Sequence, residues 1–229
     1  MIIGNDIVDL GCPMNKVSFK RKRWVQKAFS AKEVEFIYSQ DDPYKACWLF
    51  WSCKEAVYKS ALKTGLKPFM DPKRISVDVE NIKINKDLMG TAEIEGKNFS
   101  WYSISAKEWV HTICDDGELK NTIYATFELN TNEKNHGKEL KDKVVAILKK
   151  TEGFAFQNIF IDKTKKGIPY VYGLSEGRIQ LFDLSLSHDG GFGAFCMGSL
   201  GHSQASILEK ELNQRSYNQV RSHPQPFLH

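Results

Sequence analysis

The chain has 229 residues, 41% of them hydrophobic and 26% charged, with a net charge of +4 at pH 7. That composition describes a soluble globular protein with one sizeable core or two small ones, and no stretch reaches the roughly 18 consecutive apolar residues of a membrane span. The net charge is too small to argue for nucleic acid as a partner, and five scattered cysteines (12, 47, 53, 114 and 196) read as reduced thiols without disulfides or zinc pairs.

Ile2 to Leu10 reads as an opening strand closed by Gly11 and Pro13. Its start has neither a basic leader nor a signal-length apolar run, so the expectation is a cytoplasmic protein. A basic helix is expected over 16–28, where Lys16, Lys20, Arg21, Lys22, Arg23 and Lys27 alternate with Phe19, Trp24 and Val25. Such a face suits an acidic protein, a phosphate-rich ligand, RNA or plain solvent.

Ser30-Ala-Lys-Glu33 has capping-box spacing and starts a second helix to about Ser39. Asp42-Pro43 opens a longer one to about Lys63, and Thr64-Gly65 stops it. On that helix positions 46, 49, 50, 53, 57, 60 and 61 form a buried stripe, with Cys47 beside it. Glu55 and Lys59 then fall on the opposite side, beside Trp48 and Trp51. Glu55 and Lys59 read either as a helix-stabilising surface pair or as a carboxylate and an ammonium turned towards a ligand.

Strands are expected at 75–85, 91–96, 99–105, 109–114 and 121–129, as one antiparallel meander. A polar break, Asn130 to Gly137, precedes an amphipathic helix from Lys138 to Lys150. Strands follow near 155–162 and 169–173, then Gln180 to Ser187, then a run of small and aromatic residues from Gly190 to Met197. A terminal helix is expected over Ser203 to Asn213, with a loose end beyond it, and no tandem repeat is visible.

Three segments carry candidate chemistry. Asp6 ends an apolar strand, where a carboxylate needs a cation or donors, or serves as a turn residue. The long helix carries Lys54-Glu55-Ala-Val-Tyr-Lys59, and Ser185-Leu-Ser187-His188 offers two hydroxyls and an imidazole to an anion, or to local turn hydrogen bonds.

Together these segments resemble the 4′-phosphopantetheinyl transferases, which move phosphopantetheine from coenzyme A to a carrier-protein serine. Gly4-Asn5-Asp6-Ile7-Val8 is similar to their Gly-x-Asp strand, and Trp51 to Lys59 to their aromatic-x-x-Lys-Glu-Ala-x-x-Lys helix. Thr64-Gly65-Leu66 matches the turn after it, and Gly167-Ile168-Pro169 with Ser185 to His188 matches their Gly-Lys-Pro and Ser-x-Ser-His elements.

The resemblance implies an α+β fold of two lobes, each a small antiparallel sheet packed on helices, related by a pseudo-twofold. The lobes would be residues 1–129 and 130–205, with a tail over 206–229. It implies Mg2+ on Asp6 and Glu55, and coenzyme A held by Lys54, Lys59, Thr64, Gly65, Gly167, Pro169, Ser187 and His188. Asp6, Glu55 and Lys59 would be catalytic, with Glu55 or a metal-bound water as the base. An acidic apo carrier protein would be the partner, met by Arg21 and Arg23. Carriers of fatty-acid, polyketide and peptide synthases all fit.

Three departures stand out. Val8 occupies the place of a second acid found in larger members, as in the small carrier-protein synthases. Asn5 replaces a usually apolar residue, and Lys165-Lys166 precede Gly167 where a lysine would follow it. The motif order is that of the small trimeric synthases at the length of the two-lobed members. The expectation is therefore a site across two lobes of one monomer, with a trimer as the alternative. Other classes on the same fold are a coenzyme A- or RNA-binding protein without transfer, and a magnesium-dependent hydrolase of coenzyme A or of the carrier's arm.

Overall fold

A computed structural model describes residues 2–84, 88–117, 122–130, 133–151, 156, 158–175 and 178–200. The expected helix over 203–213 and the tail over 206–229 lie outside them. Among the described residues the fold is α+β, with two antiparallel sheets and five α-helices.

The first sheet runs in the order β1 (Ile3–Asp9), β6 (Trp109–Asp115), β5 (Lys97–Ser105), β4 (Leu88–Ile94), β2 (Ser76–Val77), with β3 (Lys83–Ile84) also on β4. The second runs β7 (Ile123–Glu128), β11 (Phe192–Ser199), β10 (Arg178–Asp189), β9 (Pro169–Ser175), β8 (Ile159–Lys163). In both, the strand that comes first in the chain pairs with the last one, and helical chain intervenes between the first strand and the remainder. The same path is thus traced twice, without sequence repetition to announce it.

β7 corrects the single meander expected over 75–129. It does not pair with β6 but crosses to the second sheet, with Ile123 opposite Met197 and Glu128 opposite Phe192. By sheet membership the second layer therefore begins ahead of residue 129, and the polar segment from Asn130 is the link from β7 to its own helix, α5 (His136–Leu148).

Local signals set the helices of the first half. Ser30 accepts from the Glu33 backbone N–H and Glu33 accepts from that of Ser30, a complete capping box at the start of α3 (Ala31–Ser39), an arrangement worth about 1 kcal/mol. Asp42 caps α4 (Pro43–Lys63) through the Lys45 N–H. The basic helix expected as one piece is two, α1 (Pro13–Lys20) and α2 (Lys22–Ala28), because Arg21 is extended. α1 has no fully buried residue and lays only Phe19 partly against the core, whereas α2 turns Val25 and Ala28 into it.

That turn also alters α4. Trp24 of α2 lies 5.1 Å from Trp48 and 5.3 Å from Trp51, so the face expected to look outward beside Glu55 is roofed, and Trp48 is only 4% exposed. α4 is consequently buried nearly all round, between α2 and α3 on one side and β1, β5 and β6 on the other. A second core gathers Val144 and Leu148 of α5 with Leu184, Phe195 and Met197. All five cysteines are free thiols. Burial pushes Cys47 and Cys114 up to about 12, so they pack as apolar groups.

Candidate active site

The site forms where β1 lies on α4 with its outer edge against β10. Gly4 has no side chain to hold β1 away from Ala56. A line of polar groups on α4 then meets the strand's backbone: Ser52 Oγ donates to the Asp6 carbonyl (2.9 Å), Lys59 Nζ to that of Asn5 (2.9 Å), Ser60 Oγ to that of Ile2 (2.9 Å) and Lys63 Nζ to that of Ile3 (2.7 Å).

β10 satisfies the edge amides with side chains instead of a ladder. Asp183, Ser185 and Asp189 accept from the backbone N–H of Ile3 (2.9 Å), Asn5 (3.0 Å) and Asp9 (2.9 Å). Asp183, Ser185 and Ser187 are all buried, which is tolerable because each is hydrogen-bonded. Lys63 ties the two sheets together with a buried ion pair to Asp183 at 2.7 Å and a hydrogen bond to the Leu184 carbonyl at 2.9 Å.

Asp6 is 9% exposed and paired through Oδ1 with Lys59 at 2.9 Å. Burial raises its carboxyl above the usual range, Lys59 pulls it down, and the charge of Asp189 pushes it up again. Glu55 is pushed up to about 7, first by burial and then by Asp6, with Lys59 opposing. Among the described residues Glu55 has no hydrogen-bond or ion-pair partner. Two desolvated carboxylates thus lie in the field of one ammonium that is bonded to only one of them, since Lys59 spends two of its three donors on Asp6 and the Asn5 carbonyl.

This donor set fits a hard divalent cation, which takes one or two carboxylates and completes its shell with phosphate oxygens and water. Among the described residues no group of three or more His, Cys, Asp or Glu side chains could hold a metal; Asp6 and Glu55 are the two neighbouring carboxylates that could contribute to such a shell. A cleft of 190 Å³ lies beside Glu55, lined also by Trp51, Tyr58, Phe69 and Met70.

Residues 2–114 match the model of the 4′-phosphopantetheinyl transferase superfamily. Over those 113 of its 229 residues the chain belongs to this superfamily. The matched phosphopantetheinyl transferase segment ends within β6 and so contains Asp6, Glu55 and Lys59, but neither Ser187 nor His188. No curated protein matches the chain.

The other expected site residues divide. Ser187 reaches the same edge by accepting from Asn5 Nδ2 at 3.1 Å. His188 is on the opposite face of β10, as alternation requires, with its ring edge-on to His136 of α5 at 5.6 Å. Gly167, at φ +80°, makes the tight β8–β9 turn. Pairing of β9 with β10 ends at Tyr170 opposite Asp183, just after that turn. Arg21 and Arg23 are exposed.

Lys54 corrects an expectation. It is 1% exposed, paired with Glu33 at 2.8 Å and not with Glu55, donates to the carbonyls of Ile75 (2.7 Å) and Pro72 (3.2 Å), and lines the cleft beside Glu55. Burial lowers its ammonium, with Glu33 opposing. Thr64 and Gly65 close the end of α4, about 13 Å along the helix from Glu55. There Thr64 Oγ1 donates to Ala61 and accepts from Lys97.

Three participants escaped the sequence reading. Asp189 accepts from Asn15 Nδ2 (2.7 Å) and holds α1 beside the site. Asp9 accepts from the Gly191 N–H (3.0 Å) under a turn whose Gly190, at φ +50°, leaves no room for a Cβ. His111 is wholly buried between Asn5 and Thr126. The signal was the alternation Asp183, Ser185, Ser187, Asp189 against Phe182, Leu184 and Leu186, a polar stripe on a strand whose other face is core.

Proposed function

We propose that this chain transfers 4′-phosphopantetheine from coenzyme A to a serine of an acidic apo carrier protein, as a holo-acyl-carrier-protein synthase does, in a magnesium-dependent reaction. The observation that carries the reading is the convergence of Asp6, Glu55 and Lys59 beside β1, with Glu55 left without a hydrogen-bond or ion-pair partner among the described residues.

In this reading the serine oxygen bonds to phosphorus, the bond to 3′,5′-ADP breaks, and the serine gives up its proton. Phosphoryl transfer of this kind needs positioning and charge neutralisation more than covalent help. Lys59 supplies a cation at the diphosphate while bracing Asp6. Asp6 and Glu55 would hold the magnesium, which when bound would supply further neutralisation of diphosphate charge. Glu55, a carboxyl group with no hydrogen-bond or ion-pair partner among the described residues, takes the serine proton. Ser187 and the β8–β9 turn at Gly167 and Pro169 contact the nucleotide end. His188, turned towards α5, meets phosphate there.

The site draws on both sheets of one chain, through Asn5 with Ser187 and Lys63 with Asp183, which supports a monomeric enzyme. The first sheet with α1 to α4 and the second sheet with α5 act as its two lobes. Exposed Arg21 and Arg23, at and just after the α1–α2 break, present positive charge to an acidic carrier helix. Among the described residues no helix is long and apolar enough to cross a membrane. The free thiols suit the cytoplasm, and carriers of fatty-acid synthesis are the first to try.

The test is to incubate the protein with coenzyme A, magnesium and a panel of apo carriers. A carrier mass gain of roughly 340 Da, the added prosthetic group, is expected for phosphoryl transfer. Coenzyme A binding without any gain would sink the transferase reading in favour of a binding protein. Cleavage of coenzyme A without a gain would indicate a hydrolase.

A further inference from the structure

Asn5 stands where an apolar residue was expected, is fully buried, and touches both serines of the Ser185-Leu-Ser187 stretch. Its backbone N–H donates to Ser185 Oγ at 3.0 Å and its side-chain Nδ2 to Ser187 Oγ at 3.1 Å. The second Nδ2 hydrogen is taken by His111 Nε2 at 3.1 Å, and the other ring nitrogen meets Thr126 Oγ1 at 3.0 Å. Both amide hydrogens are therefore committed, and Asn5 Oδ1 is left buried without a partner.

A serine hydroxyl has one hydrogen to give, and one that is already accepting keeps that hydrogen for another group. Among the described residues neither Ser185 nor Ser187 donates a hydrogen bond. Two hydroxyls are thus held as acceptors from below, with their hydrogens unspent, at the edge that also holds Lys59. An orphaned acceptor is costly in a native core, and the arrangement that incurs it is the one that fixes the Ser187 oxygen.

We infer that Asn5, braced by His111 and Thr126, is a positioning residue that fixes Ser187 as a hydrogen-bond donor to a phosphate group of bound coenzyme A. The inference rests on the proposed reading that Ser187 meets that substrate. An apolar residue at position 5 would fill the space but leave Ser187 to spend its hydrogen inside the protein. Burial holds His111 neutral, with its pKa lowered to about 3, which keeps an acceptor available for Asn5.

The test is equilibrium binding of coenzyme A, together with steady-state transfer, for Asn5→Leu, Ser187→Ala and the double variant. A hydrogen bond to a charged group is worth about tenfold or more in affinity, so each single variant should weaken coenzyme A binding by about that factor. KM for coenzyme A should rise while KM for the carrier stays level, and the double variant should be no worse than Ser187→Ala alone. If Asn5→Leu does not fold, Asn5→Ala removes the same donors without adding bulk and takes its place in the cycle.

Unchanged coenzyme A affinity in the Asn5 variant, or losses that multiply in the double variant, would overturn the inference while leaving transfer intact. Binding that follows the expected pattern in a protein that transfers nothing would uphold the inference and remove only the transferase reading. A wild-type protein that binds no coenzyme A would overturn both.

Discussion

Gly4 lies so close to Ala56 that a Cβ built on it would overlap the Ala56 carbonyl oxygen and crowd the Ser60 amide. Both obstacles are helix backbone, which cannot swing aside as a side chain can. The contact sets how far β1 sinks onto α4, and hence the reach of Lys59 to Asp6 two residues further along the strand.

Gly4→Ala should therefore cost about 3 kcal/mol, at the upper end for added bulk in a packed core. Urea unfolding would show a lower midpoint. The surviving folded fraction should transfer more slowly, because Asp6 moves with the strand. A variant as stable as wild type would mean that β1 is not seated as described.

The ion pair of Lys63 with Asp183 should outweigh any on the surface. Both partners are nearly buried, 6% and 5% exposed, and Lys63 also serves two carbonyls from different sheets. Removing one member of a buried pair strands the other, at about 3–5 kcal/mol. Lys63→Met should destabilise by that amount. Lys32→Ala, which breaks a pair to Glu80 with both members largely exposed, should cost less than about 1 kcal/mol. Equal losses in chemical denaturation would contradict the assignment of Lys63 as the tie between sheets.

What the sequence made legible was local. The Ser30–Glu33 box and Asp42-Pro43 define helix starts within four residues, so α3 and the start of α4 could be read directly. β7 could not, because its partner β11 lies some 70 residues further along and nothing in 123–128 says which sheet it joins. The ion pair of Lys54 was hidden for the same reason. Lys54 is next to Glu55 in sequence but turned about 100° around the helix, and its true partner comes from α3. Asp6, Glu55 and Lys59 were readable because one strand and one helix carry all three, whereas Asn5 with His111 and Ser187 needs both sheets assembled.

His111 should give the protein an acid-labile component of stability. Its pKa falls from 6.5 to about 3 on folding, through burial and then the nearby Lys59 charge. Between those values the unfolded chain binds a proton that the native one refuses. Stability from this group is thus complete above 6.5 and lost as pH falls towards 3. From pH 7 to pH 5 the loss is about 2 kcal/mol. Glu55 acts in the opposite direction, since its native pKa is raised from 4.5 to about 7, so the measurement must be a difference. The stability gap between wild type and His111→Phe should narrow by about 2 kcal/mol over that range. A gap independent of pH would show that His111 is not buried neutral.

Neighbours on α4 should separate stability from activity. Lys54→Met strands Glu33 in the core and should cost about 3 kcal/mol, yet leave KM for coenzyme A unchanged in the folded protein, since Lys54 touches only Glu33, Pro72 and Ile75 among its polar contacts. Glu55→Gln should do the reverse. It removes a carboxylate that lies beside Asp6 without a hydrogen-bond or ion-pair partner among the described residues, so transfer should fall about 100-fold or more, the scale of losing a well-placed charge at a phosphoryl-transfer site. Stability should not fall with it. Between pH 4.5 and 7 the native state keeps a proton on Glu55 that the unfolded chain releases, so wild type loses stability as pH rises through that window and glutamine does not. At pH 8 Glu55→Gln should melt at or above the wild-type temperature. A Lys54 variant with weakened coenzyme A binding, or a Glu55 variant that transfers normally, would reverse the roles assigned to this pair.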